Sequence, residues 1–155
     1  MDMESYAQKV ENMRAKLYRT ALCYFGDPST AQEVLDETVY RGLCACGRLR
    51  EPERFEGWMT RILINECHRE LKRRSRFRSL EEVPELTAEM LDALPLREAV
   101  QHLPKEWKDV VILRFFSGYS QAETAEALQI PQGTVKTRQR KALQLLRLEL
   151  EEAAL

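Results

Sequence analysis

Ser120-Gln121-Ala122-Glu123-Thr124-Ala125-Glu126-Ala127-Leu128-Gln129-Ile130-Pro131-Gln132-Gly133-Thr134-Val135-Lys136-Thr137-Arg138-Gln139-Arg140-Lys141 is the stretch from which the fold is read. Ser120 with Glu123 three residues on is a capping box, opening a short helix with Ala122, Ala125 and Leu128 inward. Ile130-Pro131-Gln132-Gly133 reads as a tight turn, and a second helix runs from Thr134 to about Glu149. Two such helices across a short turn are a helix-turn-helix. The second helix has apolar positions at Val135, Ala142, Leu143 and Leu146, and its opposite face presents Gly133, Lys136, Thr137, Arg140 and Gln144. A helix of this kind enters the major groove, where Lys and Arg neutralise phosphates and Arg or Gln reads guanine or adenine edges. Lys136–Arg147 holds five basic residues and no acid. That absence of interspersed acids weakens the plainer reading of a solvated, charged helix face.

Working outward, the periodicity stays helical. Leu96–Leu103 and Lys105–Ser117 are two further helices, the first ending before Pro104 and the second stopped by Gly118. Towards the N-terminus, Val10, Met13, Leu17, Tyr18, Ala21, Leu22 and Phe25 form one stripe at spacings of three and four. Gly26-Asp27-Pro28 ends that helix. Asp27 or Ser29 caps the next, Ser29 with Gln32 resembling a capping box, and its stripe is Ala31, Val34, Leu35, Thr38, Val39 and Leu43. After a charged loop, Gly47 to Glu53, a third helix carries Phe55, Trp58, Met59, Ile62, Leu63, Cys67 and Leu71. No convincing alternating segment suggests a sheet. The fold class expected is therefore all-α: two small helical domains, residues 1–78 and 95–155, joined by a flexible acidic linker at 79–94 with a short helical turn near Ala88–Leu94.

Composition fits this division. The 155 residues carry 24 Lys+Arg and 25 Asp+Glu, a net charge of −1, but the local pattern is uneven. Residues 79–94 hold five acids and no base, whereas Arg69–Arg78 holds six bases against Glu70. No apolar run approaches the ~18 residues of a membrane span, and the polar N-terminus lacks a secretory signal. Four scattered cysteines are too few for a disulfide scaffold, so a reduced cytoplasmic protein is expected. Cys44 and Cys46 lack the paired spacing of a zinc site and read as core thiols. No phosphate-binding glycine loop and no catalytic constellation is visible, so the chain is expected to be no enzyme and to need no cofactor or metal.

Ile130-Pro131-Gln132-Gly133-Thr134-Val135-Lys136-Thr137-Arg138 closely resembles the start of the recognition helix in extracytoplasmic-function (ECF) RNA polymerase sigma factors. Leu103-Pro104-Lys105-Glu106-Trp107-Lys108-Asp109-Val110-Val111-Ile112-Leu113-Arg114 looks like the beginning of that family's C-terminal domain. Leu17-Tyr18-Arg19, Ala31 to Thr38 and Phe55-Glu56-Gly57-Trp58-Met59-Thr60-Arg61-Ile62-Leu63-Ile64-Asn65 look like its promoter-melting domain. The resemblance spans nearly the whole chain, in order, and implies a sigma factor that binds core RNA polymerase and directs transcription initiation. It implies polymerase contact through Glu33, Asp36, Glu37 and Arg41. It implies contact with an unpaired −10 strand through Leu49–Phe55 and the following helix, with Phe55, Trp58, Arg61, Asn65, Arg69, Lys72 and Arg73 as candidates. Gln132, Thr134, Lys136, Thr137, Arg138, Arg140 and Lys141 are the candidates for duplex −35 DNA. The linker is implied to thread the RNA exit path, its acids mimicking RNA phosphates. An anti-sigma factor is a further implied partner, and no direct membrane insertion is expected.

The residues leave alternatives open. Trp58 and Phe55 suit base stacking and equally suit the apolar stripe. Asn65 has the donor and acceptor to read a base edge, or is a surface amide. The cations from Arg69 to Arg78 suit phosphates, or a solvated helix end. Arg69 stands where the family often has an acid, and Gln139 where it usually has an apolar residue. An ordinary duplex-binding regulator and a pure protein-interaction module are the rival functions.

Overall fold

The computed structural model describes residues 1–76 and 94–153, all of whose regular elements are helical. The chain divides into two units, residues 1–83 and 84–155. The acidic linker and its expected turn near Ala88 lie outside the described residues.

The first unit is three helices, α1 (Met3–Phe25), α2 (Pro28–Ala45) and α3 (Phe55–Arg76), each packing on the other two. Asp2 caps α1 by accepting from Ser5 N–H. Gly26, at φ 66°, ends it, in the left-handed region that glycine enters without steric cost. Asp27 settles the next cap: its carboxylate accepts from Ser29 and Thr30 N–H, while the Gln32 amide donates to Asp36 at 2.8 Å instead of closing a box with Ser29. A carboxylate reaches both exposed N–H groups at once, and so outcompetes the serine hydroxyl. The expected loop from Gly47 to Glu53 contains two short 3₁₀ turns, Cys46–Arg48 and Pro52–Arg54.

The core of this unit holds the expected Val10, Met13, Leu17, Ala21, Phe25, Ala31, Val34, Leu35, Phe55, Met59, Leu63 and Cys67, joined by Tyr6, Tyr24 and Ile64. Leu43, assigned to the stripe, is 37% exposed. Near the end of α2 the three helices approach closely at Gly42. A Cβ there would collide with the Tyr6 hydroxyl and meet Met59 Sδ at 3.0 Å. The Tyr6 hydroxyl donates to the Val39 carbonyl at 2.6 Å, so it cannot move aside freely. Burial, with the thiols of Cys46 and Cys44 nearby, pushes this phenol up to about 12. Of the four cysteines, Cys46 and Cys67 are buried as expected of core thiols, Cys23 is half-buried, and Cys44 faces solvent.

The second unit comprises α4 (Leu94–Gln101), α5 (Lys105–Val111), α6 (Gln121–Leu128) and α7 (Gln132–Ala153). Helix α5 widens into a π-helical segment, Ile112–Phe116. Gly118, at φ 76°, stops it, with Tyr119 N–H reaching back to the Leu113 carbonyl at 2.9 Å. Helix α7 is the central element, touching α4, α5 and α6. Val110, Val111, Ile112, Leu113, Ala127, Val135, Ala142 and Leu146 fill this core.

Three expectations change here. Helix α6 buries Thr124 and Ala127, leaving Ala122 exposed and Ala125 and Leu128 half-buried. Helix α7 begins at Gln132, so Gln132 and Gly133 belong to its first turn; the true turn is Gln129 to Pro131, with Gln129 left-handed at φ 55°. Leu143 is 42% exposed, because the buried stripe is the narrower set Val135, Ala142 and Leu146.

Two stability predictions follow from these packings. Gly42→Ala drives a methyl group against a tethered, buried phenol and should cost about 1–3 kcal/mol, read by denaturant unfolding of the whole chain. Thr124 is fully buried and its hydroxyl has no hydrogen-bond partner. The isosteric Thr124→Val should therefore raise stability by about 1 kcal/mol; a lower denaturation midpoint would show that the hydroxyl is satisfied after all.

Candidate nucleic-acid interface

The helix-turn-helix is held by local chemistry before any tertiary contact. Ser120 Oγ accepts from Glu123 N–H at 3.0 Å, and the Glu123 carboxylate accepts from Ser120 N–H at 2.9 Å, the complete capping box. At the turn, Ile130 N–H reaches the Ala125 carbonyl at 3.1 Å, and the Pro131 carbonyl takes both Thr134 and Val135 N–H. Arg114 then ties the motif to the preceding helix. It donates through Nη1 to the Tyr119 carbonyl at 2.6 Å and through Nε to Gln139 Oε1 at 3.1 Å. This gives Gln139 a positioning use: its amide anchors α7 to the segment before α6.

With Val135, Ala142 and Leu146 buried, a turn of about 100° per residue fixes the remaining directions. Gly133, Thr137, Arg140 and Gln144 point away from the core. Thr134, Arg138 and Lys141 lie on one flank, Gln132 and Lys136 on the other. Gln132, Lys136, Thr137, Arg140 and Lys141 are exposed, and Thr134 and Arg138 half-buried. The Thr137 hydroxyl donates to the Gly133 carbonyl at 3.1 Å. Thr134, Arg138 and Lys141 share a concavity of about 310 Å³ with Trp107 of α5. Trp107 was not among the sequence candidates; its place on a different helix leaves no periodic signal linking it to α7.

In the first unit, Glu33, Asp36, Glu37 and Arg41 are exposed on α2. Tyr40, 61% exposed, lies between them. It falls off the apolar stripe, which is the signal that identifies it as a surface aromatic of the kind that anchors protein interfaces. Its hydroxyl is pushed above the usual phenol range by a hydrogen bond with Cys44. Across from it on α3 stand Trp58, half-buried, and Asn65, exposed. Together with Glu37, Arg41, Glu66 and Arg69 they line a groove of about 500 Å³. Residues read as polymerase-facing and residues read as DNA-facing thus share one concave surface.

Other candidates are differently placed. Phe55 is 3% exposed, with its ring edge-on to Tyr6 at 5.9 Å and 5.8 Å from Trp58, so it packs the core and offers no face to a base. Arg61 is half-buried and Lys72 exposed. Arg73 grips Glu70 with two hydrogen bonds, at 2.9 and 2.6 Å, and this holds the Glu70 carboxyl below its usual range. Arg74, read with the phosphate-binding cluster, is instead structural. It bonds Glu70 and the Thr30 hydroxyl, and its guanidinium lies over the Phe25 ring at 5.2 Å from the centroid. The basic cluster is therefore less free than its sequence suggests, because Glu66 and Glu70 sit three and four residues before its arginines. Among the described residues no group of three or more His, Cys, Asp or Glu is placed to hold a metal, and no helix is long and apolar enough to cross a membrane.

Residues 10–77 match the family Sigma-70 region 2, and residues 99–148 the family Sigma-70, region 4. The RNA polymerase sigma factor SigV of Bacillus subtilis is 28% identical over 149 residues, covering 91% of this chain and 88% of that protein. The ECF RNA polymerase sigma factor SigL of Mycobacterium tuberculosis is 31% identical over 152 residues, covering 89% and 84%. Among solved structures, CnrH in complex with the cytosolic domain of CnrY superposes with a TM-score of 0.77 at 23% identity, over 97% of this chain and 90% of that one. The sigma factor RpoE in complex with the anti-sigma factor NepR from Bartonella quintana gives 0.77 at 20% identity, over 96% and 98%. These two share the fold. The capped helix-turn-helix, the three-helix unit before it and the relatives spanning both lead to one conclusion: the chain belongs to the ECF RNA polymerase sigma factors, non-enzymatic subunits that bind core polymerase and direct it to promoters.

Proposed function

We propose that residues 95–155 read a duplex −35 element through the outward face of α7, and that residues 1–78 dock on core polymerase and hold the unpaired −10 strand, with residues 79–94 as the linker. The observation that carries the reading is the rotation of α7, which turns Thr137 and Arg140 directly away from the core with Lys136 beside them. Arg140 has the fork geometry to pair with guanine by two hydrogen bonds. Thr134, Arg138 and Lys141, on the flank shared with Trp107, hold the DNA backbone, as does Gln132 at the first turn. In the first unit Trp58 and Asn65 face the strand, with Arg61, Arg69, Lys72 and Arg73 for its phosphates, while Glu33, Asp36, Glu37 and Arg41 meet the polymerase. An anti-sigma factor is a further partner, supported by the structural neighbour RpoE, a sigma factor solved in complex with the anti-sigma factor NepR. The cytoplasm, where polymerase works, is the site of action. Reconstitution with core polymerase tests the whole reading: promoter-specific transcription should require both proteins, whereas tight specific duplex binding by this chain alone would favour an ordinary helix-turn-helix regulator.

Two measurements test the residue assignments. Asp36→Arg with Glu37→Arg reverses the charge of the face proposed to meet basic polymerase groups and should weaken core-polymerase binding by about tenfold or more; undiminished capture at moderate salt removes α2 from that interface. Arg140→Ala should change the −35 sequence selected from a randomised pool, at a cost of about 1–3 kcal/mol at its own base pair. Arg138→Ala should lower transcription across all sequences alike, as loss of a phosphate contact does. Retention of the parental consensus by Arg140→Ala would move base reading to Gln132.

A further inference from the structure

Among the described residues of the first unit, Glu66 is the sole buried charged side chain. A buried carboxylate persists only if its charge is matched. One oxygen of Glu66, Oε1, takes both available cations: Arg41 Nε at 2.7 Å from α2 and Arg69 Nη1 at 2.8 Å from its own helix. Arg41 Nε is in turn 3.0 Å from Glu37. The four side chains form a line of alternating charge, Glu37–Arg41–Glu66–Arg69, along one groove. Glu66 alone is buried; the side chains of Glu37, Arg41 and Arg69 are 48%, 45% and 60% exposed.

We infer that Glu66 is a positioning residue that couples polymerase docking to capture of the −10 strand, by exchanging its hold on Arg69 for a full hold on Arg41. This rests on the proposed assignment of Glu37 to polymerase and Arg69 to a DNA phosphate. In the free protein Arg41 is divided between Glu37 and Glu66, so Glu66 draws on Arg69 and masks its charge. When a basic polymerase group pairs with Glu37, the Arg41 Nε–H turns wholly to Glu66, while the exposed remainder of its guanidinium still faces the polymerase. The carboxylate is then satisfied from α2, and Arg69 is released to bind phosphate. No covalent bond is made or broken; the hydrogen bonds of Arg69 to Glu66 and of Arg41 to Glu37 are given up, and the Arg41–Glu66 ion pair takes their place. Because coupling free energies are reciprocal, DNA bound at Arg69 strengthens polymerase binding by the same factor.

The test measures binding of a fluorescent single-stranded oligonucleotide, carrying the −10 strand of a promoter that the holoenzyme transcribes, to the full chain alone and to the holoenzyme, across a salt series. Glu66→Gln keeps shape and removes the charge. It should tighten binding by the free protein roughly two- to fivefold at low salt, and steepen its salt dependence by about 0.7, the slope of one added phosphate contact on a single strand. Holoenzyme binding should stay unchanged, so the gain conferred by polymerase shrinks by the same factor; a purely structural role for Glu66 would not sharpen the salt slope. Arg69→Gln should weaken holoenzyme binding and abolish the Glu66→Gln gain. If Arg69→Gln weakens binding but Glu66→Gln alters neither the polymerase-dependent gain nor the slope, the relay is overturned while the site assignment stands. If Arg69→Gln has no effect, the DNA assignment fails and the relay with it. Should Glu66→Gln not fold, a double-mutant cycle of Glu37→Gln and Arg69→Gln, both exposed, reads the same coupling: Glu37→Gln should tighten binding by the free protein only when Arg69 is present, and additive effects overturn the proposal.

Discussion

Burial of Val135, Ala142 and Leu146 fixes the rotation of α7 about its axis, and the chemistry of the second unit depends on that rotation. A helix has one freedom that matters for recognition, the direction its polar residues face. Packing against α4, α5 and α6 removes it. The Arg114–Gln139 hydrogen bond adds a polar pin near the edge of the same contact. A small apolar stripe thus decides which cations face away from the core, even though it carries no charge itself.

The first unit is organised around a different constraint, close approach. Gly42 lets α2 sink between Tyr6 and Met59, and the Tyr6 hydroxyl caps the contact by bonding the Val39 carbonyl. That proximity brings Arg41 of α2 within reach of Glu66 of α3. The groove shared by acidic α2 and the polar face of α3 is therefore a consequence of how near the two helices can come, and a larger residue at position 42 would open it.

Charge clusters change meaning once folded. In sequence, Arg69 to Arg78 is a basic run. In the structure, Arg69, Arg73 and Arg74 each bond a carboxylate one turn earlier, and Arg74 also reaches Thr30 and the Phe25 ring. Pairs at three and four residues are legible on a helix, but whether an arginine turns inward depends on the neighbouring helix. By contrast α7 has no carboxylate from Lys136 to Arg147, so none of its cations there can pair with an acid one turn earlier on the same helix.

Period and local chemistry were readable without coordinates: the helical spacing of each stripe, the Ser120–Glu123 box, the glycine stops at 26 and 118, and the motif beginning at Ile130. All of these arise between residues a few positions apart, so the sequence alone determined the all-helical class, the helix-turn-helix and the family. Tertiary structure decided what depends on contact across helices. It placed Phe55 inside and Tyr40 outside, buried Thr124 in place of Ala122, and gave Gln139 its tie to Arg114. It also brought Glu66 between two arginines from different helices. The physical reason is that a helical stripe specifies which side is inward only to within the width of a residue or two, and the depth and pairing of side chains at its edges are set by the helices that cover them.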